Sequence, residues 1–252
     1  MINTDDLDLR NMDCMKLMAE FEDNHFDLAI TSPPYNMNLR VNSRGDGYCS
    51  RQVVKELSTK YENFSDNLPM DEYADFLVES VSELLRVSRM VFFNIQMVTG
   101  NKPAIFKMMG HFADQIKEVI IWDKGSGQPA IGAGVMNSSY EYIIVFGGNP
   151  IARAFADPCF PRGTLDNIWR IGRSSSADSS HRASFPLQLV ETILRNFSSE
   201  GCKVVDPFLG TGTTAIACHY AKCHLTASEL DKDYYDAAIE RIERETAQTE
   251  LF

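Results

Sequence analysis

A buried strand that runs directly into a glycine loop and then into a helix constrains this chain more than any other feature. Residues 204–214 read Val-Val-Asp-Pro-Phe-Leu-Gly-Thr-Gly-Thr-Thr. The valines are typical of a strand inside a sheet, and glycines let the backbone turn sharply and approach a ligand closely. Such a unit belongs to sheets whose strands alternate with helices, and their ligands bind beyond the carboxyl ends of the strands.

The same alternation extends over most of the chain. Strand-like apolar runs occupy residues 7–9, 26–30, 90–95, 118–122, 140–146, 203–206 and 224–228, and helical spacing occupies residues 13–21, 70–87, 102–109, 185–197, 213–220 and 234–244. This pattern predicts an α/β fold with a Rossmann-like, doubly wound and mostly parallel sheet. We expect residues 1–252 to form a single domain, with a long loop at 36–68, a glycine-rich loop at 125–134 and an irregular insertion at 147–180.

Charge is unevenly distributed along the chain. The formal net charge of −11 argues against a nucleic-acid-binding protein when it is taken alone. The sign reverses locally within residues 36–60 and 151–190, and we interpret these segments as a candidate DNA surface, with ordinary solvated loops as the alternative. The basic residues assigned to this surface are Arg40, Arg44, Arg51, Lys55, Arg162, Arg170 and Arg173.

Cysteine usage and hydropathy indicate the compartment. The six cysteines are scattered and form no CxxC pair, so we expect reduced thiols and no metal site. No apolar run approaches the ~18 residues of a membrane span, and the acidic start Met1-Ile2-Asn3-Thr4-Asp5-Asp6 lacks the signature of a secretion signal. We expect a cytoplasmic protein with no membrane partner.

The glycine loop is unusual for a phosphate-binding site. It lacks the third glycine of a dinucleotide loop and the lysine of a P-loop. Asp206 would repel phosphate, but it suits the cationic methionine end of a sulfonium cofactor. Glu229 ends the next strand, where a carboxylate accepts hydrogen bonds from ribose hydroxyls in Rossmann-like sites. The competing interpretations are Asp206 as a helix N-cap and Glu229 as a surface charge.

A second motif, Thr-Ser-Pro-Pro-Tyr, covers residues 31–35 and follows the predicted strand at 26–30. Two prolines fix φ twice, so this loop is stiff. The Ser32 hydroxyl and the Pro33 carbonyl can accept hydrogen bonds from an amine, and the Tyr35 ring offers a face on which a base can stack. An exocyclic base amine is a poor nucleophile, and such acceptors would help it attack a methyl group.

These two motifs and a third, His181-Arg182-Ala183-Ser184-Phe185-Pro186, resemble the amino-methyltransferases that modify exocyclic amines in DNA. The catalytic motif precedes the glycine loop, an order that resembles the circularly permuted beta class. The resemblance implies S-adenosyl-L-methionine as cofactor, a flipped-out base in double-stranded DNA as substrate, and a prokaryotic, archaeal or phage origin. It also allows a cognate restriction endonuclease as partner and a monomer or homodimer.

The resemblance assigns roles residue by residue. The catalytic residues are Ser32, Pro33, Pro34 and Tyr35. The cofactor-binding residues are Asp13, Thr31, His181, Ala183, Ser184, Phe185, Asp206, Pro207, Phe208, Gly210, Thr211, Gly212, Thr213, Glu229 and Leu230. In the permuted sheet, the strand before Asp13 should lie beside the strand that ends at Glu229, which places Asp13 near the cofactor adenine. Capping of its own helix is a second, compatible role for Asp13.

Ser32 bears on the target base. In the resembling family, Ser-Pro-Pro-Tyr is more typical of cytosine-N4 enzymes and Asp-Pro-Pro-Tyr of adenine-N6 enzymes, so we favour cytosine and keep adenine as the alternative. Three further classes fit part of the pattern: an RNA or protein-glutamine methyltransferase, a catalytically silent scaffold that binds cofactor and DNA, and a nicotinamide dehydrogenase. Ser32 disfavours the glutamine enzyme, and Asp206 disfavours the dehydrogenase.

Overall fold

The computed structural model describes residues 6–36, 68–98, 100–128, 134–148, 151–156, 158–172 and 186–247. In these residues the strands are β1 (Leu7–Asn11), β2 (Phe26–Thr31), β3 (Ser88–Ile95), β4 (Ile116–Gln128), β5 (Ser138–Gly147), β6 (Ile168–Arg170), β7 (Lys203–Asp206) and β8 (His224–Glu229). The helices are α1 (Cys14–Ala19), α2 (Met70–Val87), α3 (Lys102–His111), α4 (Leu187–Phe197), α5 (Thr213–Ala221) and α6 (Lys232–Thr246).

The eight strands form one sheet in the order β1-β8-β7-β2-β3-β5-β4-β6. Every neighbouring pair is parallel except those that involve β5, which is antiparallel to both β3 and β4. The predicted mostly parallel α/β sheet is therefore confirmed. The expected pairing of the strand before Asp13 is also confirmed, because β1 lies beside β8 with Asn11 opposite Glu229.

Strand order reverses between β7 and β2, the two central strands that carry the sequence motifs. From β7 the chain continues through α5 to β8 on one side, whereas β2 is followed by α2 and β3 on the other side. A crevice opens beyond the carboxyl ends of strands at such a reversal, and ligands of open α/β sheets bind there. We call the edge at which β7, β8, β2 and β3 end the carboxyl edge.

Helices cover both faces of the sheet, as a doubly wound fold requires. One apolar cluster joins the sheet to α4, α5 and α6, and a second joins its other face to α1, α2 and α3. Helix α2 illustrates why these segments are helical. Tyr73, Leu77, Val81 and Leu84 recur at helical spacing and are completely buried, and the acidic residues of the first turn favour the helix N-terminus.

Two segments differ from the expectation. Strand β4 continues to Gln128, which pairs with Ser138, so the predicted glycine-rich loop at 125–134 begins as a strand. Pairing with β5 supplies hydrogen bonds that outweigh the low strand preference of glycine. Strand β6 lies within the predicted irregular segment 147–180 and adds to the sheet beside β4. The single domain and the circular permutation stay predictions.

Hydropathy of the helices gives one more structural fact. Among the described residues, no helix combines the length and the apolar character needed to cross a membrane.

Candidate active site

Asp206 joins the two sequence motifs at the carboxyl edge. It ends β7 and is buried, and its Oδ1 accepts hydrogen bonds from the Thr31 hydroxyl at 2.7 Å and from the Phe208 N–H at 3.1 Å. Burial raises the pKa of Asp206 to about 6, although the Thr214 and Thr31 hydroxyls and the Phe208 N–H oppose the shift. Its Oδ2 is buried and has no hydrogen-bond partner of good geometry in the described part of the chain.

The interpretation of Asp206 as a helix N-cap is wrong. Helix α5 begins at Thr213, and its N-cap is Gly212, which has no side chain to offer. The first N–H groups of α5 therefore have no side-chain oxygen that caps them.

Glu229 is the second carboxylate of the site, and the interpretation as a surface charge is wrong. It is only 9% exposed, and its two carboxylate oxygens accept the Gly210 N–H at 2.9 Å and the Asp231 N–H at 3.0 Å. Burial raises the pKa of Glu229 to about 7. The hydrogen bonds from the two N–H groups oppose this rise, and the charges of Asp231 and Asp206 contribute to it. A carboxylate has about four acceptor positions, so capacity for a ligand remains.

Arg241 of α6 holds the glycine loop from outside, a role that sequence reasoning missed. Its Nη1 donates to the carbonyl and hydroxyl oxygens of Thr211, both at 3.0 Å, and to the Thr213 hydroxyl at 3.1 Å. Nothing in the sequence separates this arginine from the other charges of an amphipathic helix. The loop also packs on α6, because a Cβ at Gly212 would lie 2.8 Å from Cδ1 of Ile242.

Asp13 performs its predicted capping role. Its Oδ1 accepts the N–H groups of Met15 and Lys16, both at 3.1 Å, at the start of α1. The neighbouring Asn11 donates from Nδ2 to the carbonyls of Glu229 and Leu230, at 2.8 and 3.1 Å, and so ties β1 to the end of β8. Sequence reasoning did not single out Asn11. A cofactor contact of Asp13 stays a prediction.

The predicted catalytic loop, residues 32–35, leaves β2 at the same edge, directly after Thr31. Hydrogen bonds fix it to neighbouring elements. The Tyr73 hydroxyl of α2 donates to the Pro34 carbonyl at 2.7 Å, and Asn101 donates to the Tyr35 carbonyl at 2.7 Å. Asn36 lies in the left-handed region, at φ 53°, and donates to the Leu68 carbonyl at 3.0 Å. The loop is therefore held by α2 and by the residues that precede α2 and α3, as well as by its own prolines.

A polar cluster that the sequence did not reveal lies beside this loop. The Ser32 hydroxyl donates to the Tyr35 oxygen at 3.0 Å, and the Tyr35 hydroxyl donates to Oε2 of Glu141 at 2.8 Å. Asn94 donates from Nδ2 to both of these acceptors, at 2.7 and 2.8 Å. Burial and the charge of Glu141 hold the pKa of Tyr35 well above its usual value, so its hydroxyl stays protonated.

The remaining predicted residues divide into those that are described and those that are not. Arg170 ends β6 opposite Asp123 of β4, on the side of the carboxyl edge, and is exposed. Arg162 lies in the segment that enters β6 from its other end, near Cys159, whose N–H donates to Asn196 at the end of α4. The predicted residues outside the described ranges are Arg40, Arg44, Arg51, Lys55, Arg173, His181, Ala183, Ser184 and Phe185.

A strand-order reversal, an acidic glycine loop and a second buried carboxylate on the next strand define a Rossmann-like protein with a nucleoside-type site. The family model for N6 and N4 methyltransferases, described as DNA methylase, matches residues 26–240. The chain therefore belongs to this DNA methylase family.

Individual relatives and solved structures agree with this assignment. The chain is 23% identical to the Type II methyltransferase M.BglII of Bacillus subtilis over 281 residues, which covers 96% of the chain and 70% of the relative. It is similar in fold to the cytosine-N4-specific PvuII DNA methyltransferase, with a TM-score of 0.69, 17% identity and coverage of 96% and 90%. The structure of the M1.HpyAVI–SAM complex gives a TM-score of 0.60 at 17% identity, with coverage of 93% and 99%.

Proposed function

We propose that this DNA methylase transfers a methyl group from S-adenosyl-L-methionine to the exocyclic amine of a flipped-out base in double-stranded DNA, with N4 of cytosine as the target. One observation carries the proposal. The hydrogen bond from Thr31 to Asp206 joins the end of the strand that precedes Ser-Pro-Pro-Tyr to the end of the glycine-loop strand, so Ser32 and the buried carboxylate lie close together at the carboxyl edge.

The cofactor fits this crevice by its chemistry. S-adenosyl-L-methionine carries a cationic sulfonium group, an ammonium group and a ribose with two hydroxyls. The negative charge of Asp206 suits the cationic methionine end, and the remaining acceptor positions of Glu229 suit the ribose hydroxyls. The solved M1.HpyAVI–SAM complex pairs the same cofactor with a similar fold.

The catalytic loop supplies hydrogen-bond acceptors for the target amine. The lone pair of an exocyclic amine is delocalised into the base, and acceptors that bind its hydrogens draw the nitrogen toward a tetrahedral geometry. Ser32 and the Pro33 carbonyl are such acceptors. Alignment of the nitrogen, the methyl carbon and the sulfur supplies the rest, since positioning alone can contribute about 7–11 kcal/mol. A base inside a duplex must be extruded before it can reach such a loop.

Cytosine is favoured over adenine for two reasons. Ser-Pro-Pro-Tyr resembles the cytosine-N4 motif, and the PvuII neighbour is named as cytosine-N4-specific. The deciding experiment incubates the protein with double-stranded DNA and labelled S-adenosyl-L-methionine and separates the product nucleosides. We expect N4-methylcytosine. N6-methyladenine would establish the adenine alternative, and the absence of turnover on either base by a well-folded protein would refute the proposal.

The relatives are named Type II methyltransferases, and this supports a further proposal, a cognate restriction endonuclease as partner.

Cofactor affinity should depend on the ionisation of Glu229. A protonated carboxyl loses acceptor capacity, and its pKa is raised to about 7. We therefore expect the Kd for S-adenosyl-L-methionine to rise as pH is lowered through 7, with a further rise near 6 as Asp206 becomes protonated. Calorimetry at a pH between these two pKa values should also detect the release of a proton from Glu229 when the cofactor binds.

One variant and a matched control test the role of Glu229 in this pH dependence. Glu229→Ala should weaken binding by about 1–3 kcal/mol, the usual effect of leaving polar partners unsatisfied, and should remove the step near pH 7. Glu240→Gln, an exposed acid on the same α6 helix as Arg241, should leave both affinity and pH dependence unchanged. Wild-type affinity in Glu229→Ala would refute the ribose assignment.

DNA binding is proposed to involve the predicted basic residues; of the two described ones, Arg170 ends β6 and Arg162 lies in the segment that precedes β6. Arg170 lies toward the carboxyl edge, so Arg170→Ala should weaken DNA binding and make the dependence of log K on log salt shallower by about one unit. The placement of Arg162 predicts a smaller effect of Arg162→Ala. Titrations at several salt concentrations measure both, and an unchanged slope in Arg170→Ala would remove this residue from the DNA surface.

A further inference from the structure

Glu141 is a buried carboxylate close to the catalytic loop, and the proposed function assigns it no role. It lies near the start of β5, the antiparallel strand, and this end of β5 reaches the carboxyl edge. Its Oε1 accepts from Lys124 of β4 at 3.0 Å, and its Oε2 accepts from Tyr35 and Asn94, both at 2.8 Å. Both partners of the ion pair are buried. Strands β3 and β5 thus place Asn94 and Glu141 at the hydroxyl of Tyr35, and β4 supplies the lysine that pairs with Glu141.

Hydrogen-bond direction in this cluster follows from the chemistry of a carboxylate. An ionised carboxylate only accepts, so the single proton of the Tyr35 hydroxyl must be donated to Glu141. The Tyr35 oxygen is then an acceptor for the Asn94 amide and the Ser32 hydroxyl. Since Ser32 has one proton and donates it to Tyr35, the lone pairs of its oxygen remain able to accept.

We propose that Glu141 is a positioning residue that, through Tyr35, fixes the Ser32 hydroxyl as a hydrogen-bond acceptor for the target amine. The inference rests on the proposed function, in which Ser32 contacts that amine. If Tyr35 instead donated its proton to Ser32, the Ser32 hydroxyl would present its own proton to the amine and repel the hydrogens that it should bind. Glu141 would then act on the rate without touching the substrate.

The energetics of buried ion pairs indicate that the pair of Lys124 and Glu141 does more than stabilise the fold. Removing two charges from water is costly, and replacing a buried pair by apolar residues is often neutral or stabilising. The Lys124 side chain is only 2% exposed, and its Nζ lies 5.8 Å from the centre of the Trp122 ring, so the pair is withdrawn from water. Retaining such a pair is more easily explained by the fixed direction of the Tyr35 hydrogen bond than by its contribution to folding.

The experiment is a double-mutant cycle on kcat with Glu141→Gln and Tyr35→Phe. A glutamine amide can donate, so Tyr35 no longer has to point its proton away from Ser32. We expect Glu141→Gln to lower kcat about tenfold, the rate equivalent of one hydrogen bond, with unchanged cofactor Kd and DNA KM. Because Glu141 acts through Tyr35, adding Glu141→Gln to Tyr35→Phe should lower kcat no further. Glu118→Gln, in the same β4 strand as Lys124 but away from the loop, is the matched control and should retain wild-type kcat.

A second cycle covers the case in which Glu141→Gln fails to fold. Tyr35→Phe keeps both buried charges and removes only the hydroxyl, and it should lower kcat in the wild-type background but not in Ser32→Ala. Wild-type kcat in folded Glu141→Gln, or effects that multiply in either cycle, would overturn the inference. The proposed function would survive that result if Ser32→Ala alone remained impaired, whereas full activity of Ser32→Ala would overturn the proposed role of the loop itself.

Discussion

Replacing Ser32 by alanine is expected to lower the single-turnover rate of methyl transfer about a hundredfold, the effect typical of losing one preorganised hydrogen-bonding group in an active site. The contact between Ser32 and the target amine strengthens as the nitrogen becomes tetrahedral. Its loss should therefore appear in kcat, with little change in the KM for DNA or in the Kd for the cofactor. Rapid-quench measurement with labelled S-adenosyl-L-methionine gives the rate, and calorimetry gives the cofactor affinity.

The control for this variant is Ser82→Ala, which removes a serine hydroxyl from α2 that donates to the Val78 carbonyl on the helix surface. It should keep the wild-type rate. Thermal unfolding of both variants verifies that each is folded. A folded Ser32→Ala protein with the wild-type rate would mean that residues 32–35 merely end β2, and that the amine is bound by other groups.

The residues that could be predicted from the sequence are those whose roles follow from local pattern. Helix α2 spans the predicted residues 70–87 because apolar side chains recur at helical spacing over its whole length. Asp206 and Glu229 can be identified because each ends an apolar strand, one beside glycines and the other on the following strand. The sheet then places both at the same edge, where parallel strands end.

The partners of these residues could not be predicted, because they are distant in sequence and adjacent only in the sheet. Glu141 is 106 residues from Tyr35, and Arg241 is 30 residues from Thr211. Each of these contacts depends on strand order or on the docking of a helix, which no local pattern encodes. Glu141 also lies in a run, residues 140–146, whose sequence indicates only a strand.

Strand β6 illustrates a related limit. Its three residues, Ile168–Arg170, lie in a region rich in glycine, proline, serine and arginine, and the strand exists because β4 offers an unpaired edge. Trp169 is buried against the sheet and donates from Nε1 to the Asp166 carbonyl at 2.8 Å. Such a short strand is determined by tertiary pairing rather than by its own propensity.

Replacing Gly212 by alanine is expected to destabilise the protein by about 2–5 kcal/mol, the sum of a conformational and a packing cost. Gly212 has φ 80°, a conformation that costs a residue with a Cβ about 1–2 kcal/mol. A Cβ there would also lie 2.8 Å from Cδ1 and 2.9 Å from Cγ1 of Ile242, and overpacking of this kind costs about 1–3 kcal/mol. Urea unfolding at equilibrium measures the loss. Cofactor affinity should fall as well, because a shift that relieves the contact disturbs the loop whose Gly210 N–H donates to Glu229.

Gly201→Ala separates strain from overpacking. Gly201 has nearly the same φ, 78°, but a Cβ there would meet nothing within 4 Å, so this variant should lose only the conformational part, about 1–2 kcal/mol. Ile242→Ala removes both atoms that a Cβ at position 212 would strike. The double variant Gly212→Ala/Ile242→Ala should therefore be more stable than the sum of the two single losses predicts. Strict additivity, or equal losses in Gly212→Ala and Gly201→Ala, would show that packing against Ile242 does not constrain the glycine loop. In that case the Arg241 contacts alone would connect the last helix to the cofactor site.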